Sequence, residues 1–236
     1  MSAVRILHVD DEPDIREIVE MSLGLSAEFE VRGCACGADA IAAAAEWAPY
    51  LILLDVMMPG MDGPTTLAHL RRDSRTADIP VLFMTARAQA REVEQFIALG
   101  AQGVVSKPFD PMTLGFAVRS HLQTLRLEAL RNLFVGRAKN DAATLATCRS
   151  SLRREASPAT IRRIQEIAHG LAGAAGLFGY DQISSDAAAL EEEAVMTGLD
   201  CRIDEAAHDL AHAIDRLLSR IDGEMPPMRQ VRAAQA

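Results

Sequence analysis

Leu51-Ile52-Leu53-Leu54-Asp55-Val56-Met57-Met58-Pro59-Gly60-Met61-Asp62-Gly63 decides how the first half of the chain folds. Its first four residues carry no polar side chain. The segment therefore reads as a strand covered on both faces, as in a parallel sheet under helices. Asp55 closes that strand at its carboxyl end, the edge at which open α/β sheets bind ligands. Pro59-Gly60 follows, so no helix starts directly behind Asp55 and the carboxylate is not taken up as a helix cap. Asp55 is the candidate reactive centre.

On either side of this stretch the pattern alternates strand and helix. Val4 to Val9 is a short apolar run leading into Asp10-Asp11-Glu12-Pro13. Pro13 suits the first turn of a helix and Asp11 its N-cap, and the helix should reach about Leu25. Phe29 to Gly33 is a weak second strand, and Ala38 to Trp47 an Ala-rich helix that stops before Pro49. Tyr50 to Leu54 is the third strand, and Pro64 to Arg71 the helix behind it. Pro80 to Thr85 is a fourth buried strand, followed by a helix from Ala90 to Leu99 that Gly100 closes. Gly103 to Ser106 is a fifth strand ending in Lys107-Pro108, with another helix from about Asp110-Pro111. Five such βα units predict an α/β doubly wound, five-stranded parallel sheet with helices on both faces.

The strand ends then gather one set of side chains. The first strand delivers Asp10 and Asp11, the third Asp55, the fourth Thr85 and the fifth Lys107. Three carboxylates at one edge repel, and one of them tends to protonate unless a cation joins them. Mg²⁺ meets that need, because it is held by a few carboxylates and keeps positions for water and phosphate oxygens. A carboxylate such as Asp55 can then act as a nucleophile toward phosphorus. Thr85 can donate its hydroxyl, and Lys107 its charge, to phosphoryl oxygens.

Four motifs carry a resemblance: His8-Val9-Asp10-Asp11-Glu12-Pro13, Leu54-Asp55 through Asp62-Gly63, Met84-Thr85-Ala86 and Lys107-Pro108-Phe109. Through them residues 1–121 resemble the flavodoxin-like receiver domain of response regulators in two-component signalling. The resemblance implies that Asp55 is the phosphoacceptor. It implies Mg²⁺ on Asp11, Asp55 and the Met57 carbonyl, with Asp10 acting partly through water. It makes Thr85 and Lys107 the switch and phosphate-binding residues, and it implies a cis peptide before Pro108. Many members of the family have an aromatic residue three positions before the lysine. Val104 stands there in this chain, which suits a receiver that relays phosphate more than one that gates an output surface.

Pro111 to Phe134 reads as one helical stretch or two abutting ones, with no Gly- or Ser-rich linker. A helical, stiff junction is expected at 122–126. From Leu127 onward strand signals vanish. Helical periods appear from Asn140 to Arg154, from Ser157-Pro158 through Ile161, Ile164, Ala168, Leu171, Ala175 and Phe178, from Asp181 to a stop at Gly198, and from Ile203 to Ile221. Residues 127–223 are thus expected to form an all-α antiparallel bundle, and 224–236 a disordered tail.

His169 lies off the apolar stripe of its helix, about 100° from Ala168. Gly170, Gly173, Gly176 and Gly179 are expected within that same helix, each costing about 1 kcal/mol relative to Ala. Close approach of another surface would offset this cost, and Gly173 clears space beside the imidazole. An exposed neutral imidazole is a good nucleophile toward a phosphoryl group. The run from His169-Gly170-Leu171-Ala172-Gly173 to Phe178-Gly179 is similar to the motif of histidine phosphotransfer (HPt) domains, which are four-helix bundles. The resemblance implies that His169 carries phosphate. That family frequently has Lys three residues after the histidine. Ala172 stands there in this chain, and Arg162, seven residues back on the same face, is a substitute cation.

The 236 residues carry a net charge of −9 and no basic recognition helix, which argues against a nucleic-acid partner. Cys34, Cys36, Cys148 and Cys201 form neither a C-x-x-C pair nor a zinc spacing, as expected of reduced thiols. His208 and His212 are four residues apart but lack an evident third metal ligand. No signal sequence fits before Asp10-Asp11-Glu12, and no apolar run nears the ~18 residues of a membrane helix, so a cytoplasmic protein with no membrane partner is expected. No Gly-rich ATP loop is present. The expected protein is a phosphorelay component. Asp55 would take a phosphoryl group from a phosphohistidine, such as that of a sensor histidine kinase, with Mg²⁺. His169 would exchange one with a receiver aspartate, its own or that of another response regulator. The alternative is a phosphorylation-switched module whose bundle docks a partner or dimerises while His169 stays inert.

Overall fold

The computed structural model of the chain describes residues 3–86, 89–152, 154, 156–199 and 203–225. Cys201 and the expected tail from 226 to 236 lie outside them. The chain divides into two compact units, Met1–Leu125 and Arg126–Ala236.

The first unit is a five-stranded parallel sheet. Its strands are β1 (Val4–Val9), β2 (Phe29–Cys34), β3 (Leu51–Asp55), β4 (Val81–Thr85) and β5 (Gly103–Ser106), in the order β2-β1-β3-β4-β5. All five residues of β3 are buried, because β3 is central and both of its faces are covered. Alternation sorts the side chains into two layers. Ile52 and Leu54 join Leu7, Val9 and Phe83 under α2 (Gly37–Trp47) and α3 (Gly63–Arg72). Leu51 and Leu53 join Ile6, Leu82, Met84 and Val105 under α1 (Pro13–Gly24) and the start of α5 (Pro111–Leu152). Phe96 of α4 (Ala90–Ala98) packs against Phe83, ring centroids 4.9 Å apart. Registers Val9↔Leu54, Asp55↔Met84 and Thr85↔Ser106 align the strand ends, so the residues that follow emerge along one edge.

In the second unit, the latter part of α5 joins α6 (Pro158–Ala175), α7 (Asp181–Leu199) and α8 (Ile203–Glu224) around one core. Ile161, Ile164, Ala168, Leu171 and Ala175 of α6 meet Ile183, Ala187 and Leu190 of α7 and Leu210, Ile214, Leu217 and Ile221 of α8 there. Ser157 caps α6, its hydroxyl accepting the Thr160 N–H at 3.2 Å, and Pro158 takes the first turn, where no N–H is needed.

Several expectations are corrected. The N-cap of α1 is Glu12 rather than Asp11, and its N–H is taken by the Asp10 carboxylate at 3.0 Å. The stretch from Pro111 and the period from Asn140 are one helix, since no proline interrupts α5 after its first residue. α7 runs past Gly198 to Leu199. The four glycines near His169 do not share a helix. α6 ends at Ala175, Gly176–Phe178 is a 3-10 turn, and Gly179 caps it with φ +78, a left-handed conformation that costs glycine nothing. Phe178, placed by periodicity on the helix stripe, lies in that turn and stacks on Phe134, centroids 4.9 Å apart.

Gly63 is a close approach between the turn and the strand it follows. A methyl group there would run into the Asp55 carbonyl oxygen and stand 2.9 Å from Val56 Cα. Backbone cannot yield as a side-chain tip can. Gly63→Ala should therefore cost about 2 kcal/mol in urea unfolding, in the usual range for overpacking. Gly24→Ala, whose added methyl meets nothing within 4 Å, should cost little.

Candidate functional site

The carboxyl edge of the sheet gathers the candidate residues as expected from the strand ends. One oxygen from each of Asp10, Asp11 and Asp55 lies within 4.8 Å of the others. Asp10 and Asp55 are buried and Asp11 is half-buried. Lys107 bridges the cluster, its Nζ donating to Asp10 Oδ2 at 2.6 Å and to Asp55 Oδ1 at 2.6 Å. Met57 N–H donates to the other Asp55 oxygen at 3.0 Å. Thr85 ends β4 buried beside this group, and its carbonyl accepts the Lys107 N–H at 2.7 Å. The Lys107–Pro108 peptide is cis.

Charge and burial compete here. Burial raises the Asp55 pKa above the ordinary carboxylate value, against the pull of the Lys107 hydrogen bond and charge. Burial also works against the Lys107 ammonium, but its bonds to Asp10 and Asp55 outweigh that and push its pKa up. Three hard oxygen donors that close to one another, with only one ammonium between them, fit a divalent cation such as Mg²⁺.

Sequence reasoning missed two residues of this edge. The Arg16 guanidinium donates to the backbone carbonyls of Asp10, at 2.8 Å, and Asp11, at 3.0 Å, and so fixes the turn that presents both carboxylates. Its position in α1 follows from helical reach, but its targets do not follow from any local pattern. His8 is fully buried in β1 with Nε2 3.8 Å from Asp10 Oδ2. Burial is the main cause that lowers its pKa to about 4, so its ring is neutral at pH 7.

In the second unit His169 projects from α6, 79% exposed, and its Nδ1 lies 3.0 Å from Glu191 Oε1 of α7. Where the Glu191 carboxylate is ionised it only accepts, so the contact fits an Nδ1–H donor on the His169 ring. Glu191 was not found from the sequence, because it lies 22 residues away across a helix–helix contact. At Gly173, one turn after His169, an added methyl would meet nothing within 4 Å. Gly170 instead lies beside the guanidinium of Arg137 from α5, 3.3 Å from where its methyl would sit. Arg162, expected as the cation near His169, is exposed on α6, and no hydrogen bond or ion pair among the described residues places it at the imidazole. His208 and His212 face each other, Nε2 to Nε2 3.1 Å, and no third histidine, cysteine or carboxylate completes a ligand set with them among the described residues.

A family model of the response regulator receiver domain matches residues 6–119, and a model of the Hpt domain matches residues 118–224. The chain is a receiver domain followed by an Hpt domain. Among curated relatives, it is 41% identical over 119 residues to the DNA-binding dual master transcriptional regulator RpaA of Synechocystis, covering 50% of this chain and 49% of that protein. It is 39% identical over 119 residues to response regulator Rre1 of the same organism, covering 50% and 52%. The chain spans about half the length of these relatives. Among solved structures, the chemotaxis response regulator CheY4 of Vibrio cholerae is 32% identical with a TM-score of 0.48, covering 50% of this chain and 98% of that one.

Receiver and Hpt domains are the domain types of two-component phosphorelay signalling. No helix among the described residues is long and apolar enough to cross a membrane. Within the Hpt domain the Glu191 contact makes a prediction of its own. In ¹⁵N NMR at neutral pH, His169 should populate the Nδ1–H tautomer. Glu191→Ala should shift it toward the Nε2–H form that free histidine prefers.

Proposed function

We propose that this receiver–Hpt protein is a two-station phosphorelay component. Asp55 accepts a phosphoryl group from a phosphohistidine, and His169 exchanges one with a receiver aspartate. The observation that carries this reading is the Lys107 ammonium held 2.6 Å from both Asp10 and Asp55 within a cluster of three carboxylates.

The transfer to Asp55 breaks the N–P bond of the donor imidazole and forms an O–P bond on the Asp55 carboxylate. Lys107 is already at the nucleophile and neutralises charge that arrives with the phosphoryl oxygens. The Met57 N–H holds one Asp55 oxygen, which fixes the orientation of the carboxylate. Thr85, at the end of the neighbouring strand, offers a hydroxyl donor to a phosphoryl oxygen. Asp10, Asp11, Asp55 and the Met57 carbonyl would hold Mg²⁺, which supplies charge neutralisation for the phosphoryl group when bound.

At the second station the nucleophile is His169 Nε2. The acyl O–P bond of a phosphoaspartate breaks as the N–P bond forms. The imidazole gains positive charge in that step, and the Glu191 carboxylate on Nδ1–H stabilises it. Arg137, whose guanidinium lies at Gly170 next in sequence to His169, is a cation within reach of a phosphoryl group there. The donor to Asp55 is then a sensor histidine kinase or another phosphohistidine protein, and the acceptor from His169 is the receiver of another response regulator or this chain's own.

Wild type, Asp55→Ala and His169→Ala chains, incubated with a phosphorylated histidine donor or a phosphorylated receiver, test this reading. Phosphate on Asp55 is alkali-labile and phosphate on His169 acid-labile. Asp55→Ala should lose only the first and His169→Ala only the second, each by at least about a hundredfold, the scale for deleting a nucleophile. If His169→Ala still takes and passes phosphate from a receiver, the bundle is a docking module rather than a phosphocarrier.

A further inference from the structure

α8 carries two histidines that neither phosphate station uses. His208 and His212 are one turn apart, so both project from one face of the helix. Both are exposed, and their Nε2 atoms stand 3.1 Å apart. The ring planes are perpendicular, with centroids 4.6 Å apart.

Two arrangements bring imidazole nitrogens this close. One is an N–H···N hydrogen bond between neutral rings. With the N–H aimed straight along the acceptor's lone pair, such a bond would hold the ring centres about 5.4 Å apart at this nitrogen separation. The observed centres are nearer than that, so the two nitrogens do not point straight at each other. The other arrangement is convergence of both nitrogens on a third point. Rings aimed at a cation at the usual Zn–N distance of about 2.0–2.1 Å would have centres about 4.8 Å apart, close to the separation found. Neighbouring nitrogen ligands of such an ion are themselves about 2.9–3.4 Å apart, a range that includes the separation of these two nitrogens.

We propose that His208 and His212 form a two-imidazole chelate on α8 for a borderline divalent cation of the zinc, nickel and copper class. Imidazole nitrogen suits these ions, whereas Mg²⁺ takes oxygen ligands. The protein supplies two ligands among the described residues. Asp215, the nearest following carboxylate on α8, is paired with Arg149, and Arg216, one turn after His212, brings positive charge. The remaining positions on the ion go to water. The two rings already stand at ligand spacing, so binding orders little that is not already placed. An ion held there ties successive turns of α8 together. It favours the folded helix over the unfolded chain, in which nothing keeps the two imidazoles side by side. The site shares no residue with the carboxylate cluster or with His169, so it stands or falls apart from the proposed relay.

The test is a Zn²⁺ titration of the full chain in excess Mg²⁺, read by calorimetry and by ¹⁵N NMR of the histidine rings. In wild type the Nε2 resonances of His208 and His212 should move together, and the His169 ring should not follow them. His208→Gln and His212→Gln should each weaken this binding at least about tenfold, because a lone imidazole loses the effective concentration of its neighbour. Zn²⁺ should also raise the thermal midpoint of wild type more than that of either variant. Zn²⁺ taken up by thiols or carboxylates persists in both variants and cancels in the comparison. If the two ring resonances do not respond to Zn²⁺, or if both variants bind it as tightly as wild type, the inference falls. Should a variant fail to fold, the wild-type ring resonances decide alone.

Discussion

One ammonium shared between two buried carboxylates holds the receiver site together. Lys107 follows the fifth strand and Asp10 the first, 97 residues earlier, yet Nζ and Oδ2 meet at 2.6 Å. Everything upstream of that contact serves to make it. The apolar run of β3 pulls Asp55 to the end of a strand covered on both faces. The parallel registers align that end with β1, β4 and β5. Gly63 lets the turn return close to the Asp55 carbonyl. Arg16 ties down the Asp10–Asp11 backbone from α1. The result is a site with more negative than positive charge at short range. Lys107 alone does not balance it, and burial holds the Asp55 pKa up. That imbalance is what the proposed divalent cation and phosphoryl group would act upon.

The Hpt domain solves a different problem. In the proposed relay, a lone imidazole on a helix face needs no preassembled cluster, because its nitrogen would have to reach into a partner. What it needs is the right tautomer and open surroundings. Glu191 supplies the first by taking Nδ1–H, and Gly173 contributes to the second by adding no side chain.

The sheet and its edge were legible because both follow short-range rules. Unbroken apolar runs at β3 and β4, and a polar residue at the end of each strand, suffice to place Asp10, Asp55, Thr85 and Lys107 on one edge. Residues acting across elements were not legible. Arg16, Glu191 and Arg137 are ordinary charged residues in their own helices, and only packing reveals what they touch. His8 reads as a polar interruption of a strand, and its proximity to Asp10 appears only in three dimensions. Around His169 the sequence suggested one long glycine-rich helix. A 3-10 turn instead ends α6, since Gly179 can adopt positive φ where other residues would resist. The unity of α5 was ambiguous because helical periodicity does not say whether two adjacent stretches share one axis.

The claim that the strand-end carboxylates form a site for a divalent cation and a phosphoryl group is tested most directly by Mg²⁺ titration calorimetry of the full chain. One Mg²⁺ should bind to the wild type. Asp11→Asn and Asp55→Asn should weaken it severely, and His169→Gln should leave it unchanged. Equal binding in wild type and both receiver variants, or none in wild type, would contradict the account.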